Sequence, residues 1–329
     1  MNPSELPLVL ITHTLPDDWL TSLEGKVNSK IGPTDATYFS PDLEAHLEQA
    51  EGLFTLLTIP VSDELLSKAP NLKVISNMAV GVDNIDLDAC TRRGIPVGNT
   101  PGVLTEATAD LTVSLLLASA RRLFEANLDA RKGLWTTWSP TGWLGYDLDG
   151  ATLGIIGMGK IGKAVAQRAK GFGMDLIYYD PNRIPDFEIS LSVRFSPLDQ
   201  LLHTSDFVCL HVPLTPQTRH MISYDALRAM KPTATLVNTA RGQIVNTEAL
   251  VTALKEGWIA AAALDVTDPE PLPPNHPLFE LPNCLIVPHI GSATRNTRRK
   301  MAELACQNLL AGLVGERLPH CANPEVYET

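Results

Sequence analysis

The sequence predicts an α/β fold of two doubly wound parallel-sheet domains, and three observations lead there. Strand-like and helix-like segments alternate along nearly the whole chain, which implies right-handed crossovers and parallel sheets. A strand, glycine turn, helix, strand unit, LGIIGMGKIGKAVAQRAKGFGMDLIYYD at 153–180, lies in the middle of the chain rather than at its start. Between it and the first strands, Asn99-Thr100-Pro101-Gly102 is a strong turn signal that interrupts the alternation.

Taken in order, residues 6–12 read as a buried-type strand and 17–23 as a short helix. Strands follow at 53–58, 72–78 and 95–98, separated by helices at 63–68 and 87–93. After the Pro-Gly break, one long helix is expected over about 104–130, apolar on more than one side through Leu111, Val113, Leu115, Leu116 and Leu117. The loop 135–150 carries Trp135, Trp138 and Trp143, an aromatic cluster that suggests an interface. Beyond the glycine unit, strands are expected at 193–196, 207–212, 235–239, 261–266 and 285–287. With the two strands of the unit itself they make about seven, enough for a complete dinucleotide-binding sheet. The last helix, 292–315 with Ser292 as N-cap, reads as a return to the first domain, with Arg295, Arg298, Arg299 and Lys300 on a solvated face. The expected organisation is a Rossmann cofactor domain at 100–288, inserted in a flavodoxin-like substrate domain made of 1–99 and 289–329. The chain would then cross between the domains twice, leaving a cleft at the crossings.

Composition narrows the function. A chain of 329 residues can build two substantial cores, and 44% hydrophobic with 19% charged residues is an ordinary globular balance. A net charge of −11 argues against nucleic acid and anionic membranes as partners. The longest helical apolar run, about 113–120, is too short to span a bilayer. The first apolar run, 6–12, has neither the basic flank nor the cleavage site of a signal peptide. Cys90, Cys209, Cys284, Cys306 and Cys321 form no C-x-x-C pair, so reduced thiols, a cytoplasmic location and no metal site are expected.

The glycine unit has the G-x-G-x-x-G spacing at Gly157, Gly159 and Gly162, with Lys160 and Ile161 opening the helix. Gly157 suits a tight turn, Gly159 a close approach of backbone to a pyrophosphate, and Gly162 close helix–strand packing. The helix N-terminus offers N–H groups and partial positive charge to phosphates. Asp180, eighteen residues after Gly162, is placed to accept hydrogen bonds from the adenosine ribose. A carboxylate there favours NAD(H), while Arg183 nearby keeps NADP(H) as the alternative. Three further stretches fall at strand ends, where open parallel sheets bind ligands. They carry Arg241, then Asp265 and Glu270, then His289. A guanidinium can clamp a carboxylate and polarise a carbonyl, and an imidazolium can protonate the carbonyl oxygen as hydride arrives. A carboxylate beside an imidazole favours its charged form. Reduction of a 2-oxo acid needs this set.

The chain resembles the D-isomer-specific 2-hydroxyacid dehydrogenase family, most closely its glyoxylate/hydroxypyruvate reductases. The resemblance rests on NMAVGVDNID (77–86), TPGVLTEATADLTVSLLL (100–117), GIIGMGKIG (154–162), NTARGQIVN (238–246), LDVTDPEPLPPNHPL (264–278) and PHIGSAT (288–294). It implies that Arg241, Glu270 and His289 are catalytic, and that backbone N–H groups around Val80 and Gly81 receive the substrate carboxylate. It places Asp265 at the nicotinamide carboxamide and Thr105 in the nicotinamide pocket. Pro213, Thr239 and Ala240 would then lie along the cofactor, with Gly291 close by. The long helix and tryptophan loop resemble the family's dimerisation arm, and Trp143 matches a residue that reaches the neighbouring subunit's substrate site. The implied activity is reduction of glyoxylate to glycolate and hydroxypyruvate to D-glycerate by a homodimer. The alternatives are another D-2-hydroxyacid dehydrogenase of D-lactate type, a phosphite dehydrogenase, or an NAD-sensing corepressor-like protein. Val80, where phosphite dehydrogenases carry lysine, weighs against the second, and the acidic charge weighs against the third.

Overall fold

A computed structural model of the chain describes residues 6–328. It divides into two compact units, Met1–Leu104 with Thr294–Thr329, and Thr105–Ala293. The divisions fall a little beyond the expected 99/100 and 288/289, for reasons visible on each side. Val103 and Leu104 still pack on the first unit's core. Ile290 and Gly291 are held by hydrogen bonds to Asp265 of the second.

The first unit is a five-stranded parallel sheet. Its strands are β1 (Leu8–Ile11), β2 (Asn28–Ile31), β3 (Gly52–Thr55), β4 (Val74–Asn77) and β5 (Val97–Gly98), in the order β2-β1-β3-β4-β5. This is the flavodoxin-like order. Side chains alternate between faces with the pleat. Leu10, Leu53 and Ile75 enter one cluster, while Val9, Ile11, Phe54 and Val74 enter the other. The second cluster is closed by Met301, Ala305 and Leu309 of the helix Arg295–Leu313. That helix is capped by Thr294, whose Oγ1 accepts the Thr297 N–H at 3.1 Å, and not by Ser292 as expected. β2 has no counterpart in the sequence reading. Its residues NSKI are all exposed at the sheet edge, so no apolar run announces it.

The second unit is a seven-stranded parallel sheet: β6 (Thr152–Ile156), β7 (Asp175–Tyr179), β8 (Arg194–Phe195), β9 (Phe207–Leu210), β10 (Thr235–Asn238), β11 (Ala261–Leu264) and β12 (Cys284–Ile286). The order is β12-β11-β10-β9-β6-β7-β8, so connections reverse direction between β6 and β9, paired in register at Ile156 and Leu210. In doubly wound sheets that reversal is where a ligand crevice opens.

The helix expected over about 104–130 is two, Thr105–Ala120 and Leu123–Arg131. Between them Arg122 takes a left-handed backbone, φ 50°. The break has a tertiary cause: Tyr146 N–H returns to donate to the Ala120 carbonyl at 2.8 Å, and Gly145 lies so close that a Cβ there would meet that same oxygen. The tryptophans of the returning segment split. Trp135 and Trp138 are 65% and 80% exposed, whereas Trp143 is half-buried and donates from Nε1 to Asp129 Oδ2 at 2.9 Å. Among the described residues no helix is long and apolar enough to cross a membrane, and all five cysteines are unpaired.

His211, just past β9, has a buried Nε2 with no hydrogen-bond partner, and burial lowers its imidazole to about 4. The unfolded chain would take up a proton near pH 6.5 that the fold resists. Stability should therefore fall as pH drops from about 6.5 toward 4, by at most about 3 kcal/mol from this group. His211→Phe, compared with wild type by urea titration across that range, should flatten the slope.

Candidate active site

The glycine turn leaves β6 at the point where the sheet order reverses. Gly157 has φ +97°, and a Cβ there would stand 2.7 Å from the His211 carbonyl carbon, so the packing of β6 against β9 requires glycine. At Gly162 a Cβ would meet the Gly157 carbonyl, which again is a demand of the fold. Gly159 differs: its φ is −73° and a Cβ would meet nothing within 4 Å. No neighbouring atom demands glycine there, and the residue is the N-cap of its helix, a position that suits glycine. The open space lies at the N-terminus of the helix Lys160–Lys170, where Lys160 is exposed and Ile161 half-buried. A pyrophosphate approaching these N–H groups would fill it, so the residues present fit a dinucleotide.

Asp180 follows β7. Its Oδ2 accepts Met158 N–H and its Oδ1 accepts Asn182 N–H, both at 2.9 Å. A carboxylate has about four acceptor sites, so each oxygen retains capacity for a ribose hydroxyl. Arg183 is bound elsewhere. Its Nε and a terminal nitrogen donate to the two oxygens of Glu188 at 2.9 and 2.8 Å, and Tyr178 hydroxyl fixes that carboxylate with a further bond of 2.8 Å.

Arg241, Glu270 and His289, expected to carry acid–base chemistry, follow the ends of β10, β11 and β12. Arg241 precedes the turn Gly242–Ile244, and a terminal nitrogen donates to Ala240 O at 2.8 Å. A Cβ on Gly242 would run into the Thr267 carbonyl, so this segment packs tightly on the loop that leads to Glu270. Glu270 Oε2 accepts Thr267 N–H at 3.2 Å, and its Oε1 lies 2.5 Å from His289 Nδ1. Burial raises the Glu270 carboxyl, but the bond and charge of His289, Thr267 N–H and the Arg241 charge outweigh it. The net shift is downward, so Glu270 is an anion at neutral pH. With Nδ1 directed at Glu270, Nε2 is the imidazole nitrogen left for chemistry.

His289 itself sits at φ 50°, a left-handed backbone that costs a non-glycine residue free energy. Asp265 holds it there. This buried carboxylate accepts Ile290 N–H at 2.6 Å and Gly291 N–H at 2.8 Å, and Asp265 O accepts His289 N–H at 2.9 Å. Burial raises the Asp265 carboxyl, more than those N–H groups and the His289 charge lower it. Both oxygens are thus engaged by the turn after β12, a positioning role that the sequence did not announce.

The remaining expected cofactor residues are distributed as follows. Thr239 Oγ1 pairs with Thr112 Oγ1 at 2.9 Å, the Thr112 hydroxyl donates to the backbone carbonyl of Thr108, and the Thr108 hydroxyl donates to Gly291 O. Ala240 N–H is held by Asn238 Oδ1, and exposed Pro213 follows β9. Thr105 opens its helix, half-buried. Val80 and Gly81 belong to the first unit, on the loop after β4, with Val80 37% exposed.

A family model described as "D-isomer specific 2-hydroxyacid dehydrogenase, NAD binding domain" matches residues 113–291. The chain is 49% identical over 321 residues to a glyoxylate reductase of Korarchaeum cryptofilum, covering 97% of each, and 48% identical over 324 residues to one of Thermococcus gammatolerans, again 97% of each. Among solved structures, the TT0316 protein from Thermus thermophilus superimposes with a TM-score of 0.88 at 49% identity, over 96% of this chain and 99% of that one. A D-lactate dehydrogenase from Aquifex aeolicus, complexed with NAD and lactic acid, gives 0.86 at 31% identity, over 96% and 99%. An NADPH-dependent glyoxylate/hydroxypyruvate reductase from Sinorhizobium meliloti, complexed with NADP and malonate, gives 0.82 at 31%, over 97% and 98%.

The three glycines should separate under mutation. Gly162→Ala should lower Tm, because the Gly157 carbonyl must move. Gly159→Ala should leave Tm near wild type and weaken dinucleotide binding, measured by calorimetry, on the order of tenfold or more as a buried contact is blocked.

Proposed function

The chain belongs to the D-isomer specific 2-hydroxyacid dehydrogenase family, and from that premise we propose that it reduces small 2-oxo acids, glyoxylate to glycolate and hydroxypyruvate to D-glycerate. The observation that carries the reading is the Glu270–His289 contact, with Arg241 beside it on the neighbouring strand end. The names of the relatives favour glyoxylate over lactate. The nicotinamide cofactor, when bound, supplies hydride.

Arg241 binds the substrate carboxylate and draws charge from the carbonyl, stabilising the oxygen as it becomes an alkoxide. His289, protonated at both nitrogens, gives the Nε2 proton to that oxygen, and Glu270 supports the imidazolium through Nδ1. After the transfer, neutral His289 regains a proton from solvent. The family resemblance further implies that N–H groups around Val80 and Gly81, in the first unit, bind a carboxylate. In this reading Thr105, Pro213, Thr239, Ala240 and Asp265 lie along the cofactor, with Gly157, Gly159 and Gly162 at its pyrophosphate.

The preferred cofactor in this reading is NADH. Asp180 repels a 2′-phosphate, and the guanidinium of Arg183, three residues on, is already held by both carboxylate oxygens of Glu188. Two copies of the chain are proposed to pair through Leu134, Trp135, Trp138 and Leu144, each more than half exposed, with Trp143 serving the neighbouring site. Unpaired thiols support a cytoplasmic setting.

His289→Ala should lower kcat for glyoxylate by about 10²–10⁴, the usual worth of a general acid. Undiminished turnover at neutral pH would remove His289 from the mechanism. Arg241→Ala should depress kcat/KM through both binding and turnover. Asp180→Ala should raise the ratio of NADPH to NADH efficiency; an unchanged ratio would mean that the carboxylate does not set the preference.

A further inference from the structure

The loop after β4 is held in an unusual way. Val80 and Gly81 both present their carbonyl oxygens to side-chain amides. Val80 O accepts from Asn99 Nδ2 at 2.9 Å, and Gly81 O accepts from Asn77 Nδ2 at 3.0 Å. Neither asparagine is loose. Asn77 is fully buried, and its amide also reaches Asn84 Oδ1 at 3.2 Å, while Asn84 Nδ2 donates to the carbonyls of Leu56 and Ile59. Asn99 is fixed through its backbone, donating N–H to His320 O and accepting from buried Asn308 through its carbonyl.

In a planar trans peptide the C=O of one residue and the N–H of the next point in opposite directions. Fixing the Val80 carbonyl therefore fixes the Gly81 N–H, and fixing the Gly81 carbonyl fixes the Val82 N–H. Among the described residues, neither of those N–H groups donates to another backbone carbonyl. A glycine at position 81 would otherwise let both peptide planes rotate. We infer that Asn77 and Asn99 are positioning residues, clamping two consecutive peptide units so that Gly81 and Val82 N–H groups stand ready for the carboxylate of the substrate. The inference rests on the reading that this loop receives a carboxylate, and adds to it which side chains make the loop rigid enough to do so. Donors held in place before the ligand arrives lose less freedom on binding it.

The test uses the NADH-bound protein with oxamate as the carboxylate probe, measured by calorimetry, alongside glyoxylate kinetics. Asn99→Ala removes one anchor from a half-buried position, and Asn99→Leu keeps its size and neutrality while removing the N–H donor. Both should raise the oxamate Kd and the glyoxylate KM about fivefold, the scale of one lost hydrogen bond. The kcat, the KM for NADH and Tm should stay within about twofold or a few degrees, because the carboxylate is held equally in ground and transition states. A merely structural role would instead move Tm and both KM values together. Wild type that binds oxamate while both variants match its Kd would overturn the clamp alone. Wild type that neither binds oxamate nor reduces any 2-oxo acid would overturn the functional reading, and the clamp with it.

Discussion

Asp265 is the constraint on which the geometry around His289 depends. It stands at the end of β11 with both carboxylate oxygens engaged by the N–H groups of Ile290 and Gly291, in the turn after β12. A buried carboxylate is costly unless its oxygens are satisfied, so the turn and the carboxylate stabilise each other. The consequence is a left-handed backbone at His289, which the chain would otherwise avoid, and it brings Nδ1 to 2.5 Å from Glu270. Glu270 in turn is fixed by Thr267 N–H, three residues after β11 ends. One strand thus supplies both the carboxylate that supports the imidazole and the carboxylate that aims it.

The glycines illustrate a second distinction, between what the fold requires and what a ligand requires. Gly157, Gly162 and Gly242 each lie against another stretch of backbone, so their absence of a side chain is explained by packing. Gly159, the N-cap of its helix, faces open space instead, where a pyrophosphate can approach the first N–H groups. The same reasoning separates Asp180 from Arg183. The aspartate keeps acceptor capacity beyond its two backbone partners, whereas the arginine is tied to Glu188, which buried Tyr178 anchors from behind. A cationic side chain near the ribose end of the sheet is therefore engaged before any phosphate could recruit it.

Much of this was legible because its signals are local. The glycine spacing, Asp180 and the short runs around Arg241, Glu270 and His289 follow strands whose apolar character is plain, and a strand end in a parallel sheet is where ligands bind. What escaped depends on residues far apart in the chain. β2 forms from four exposed residues because the neighbouring strand offers it an edge, not because its own sequence favours a strand. The helix expected through Arg122 ends where Tyr146 returns to cap Ala120. Asp265 reads as one more acid near the cofactor until its hydrogen bonds to Ile290 and Gly291 are seen. Asn77 and Asn99 are ordinary in sequence, and their significance comes from the two carbonyls that they share between them.

In the proposed reading, a carboxylate remote in sequence aims the acid, and the carboxylate facing the ribose disfavours an extra phosphate. The most direct measurement is a steady-state comparison of glyoxylate, hydroxypyruvate, pyruvate and phenylpyruvate, each with NADH and with NADPH. The account predicts the highest kcat/KM for glyoxylate or hydroxypyruvate with NADH. Turnover of none of the four acids with either cofactor would contradict it.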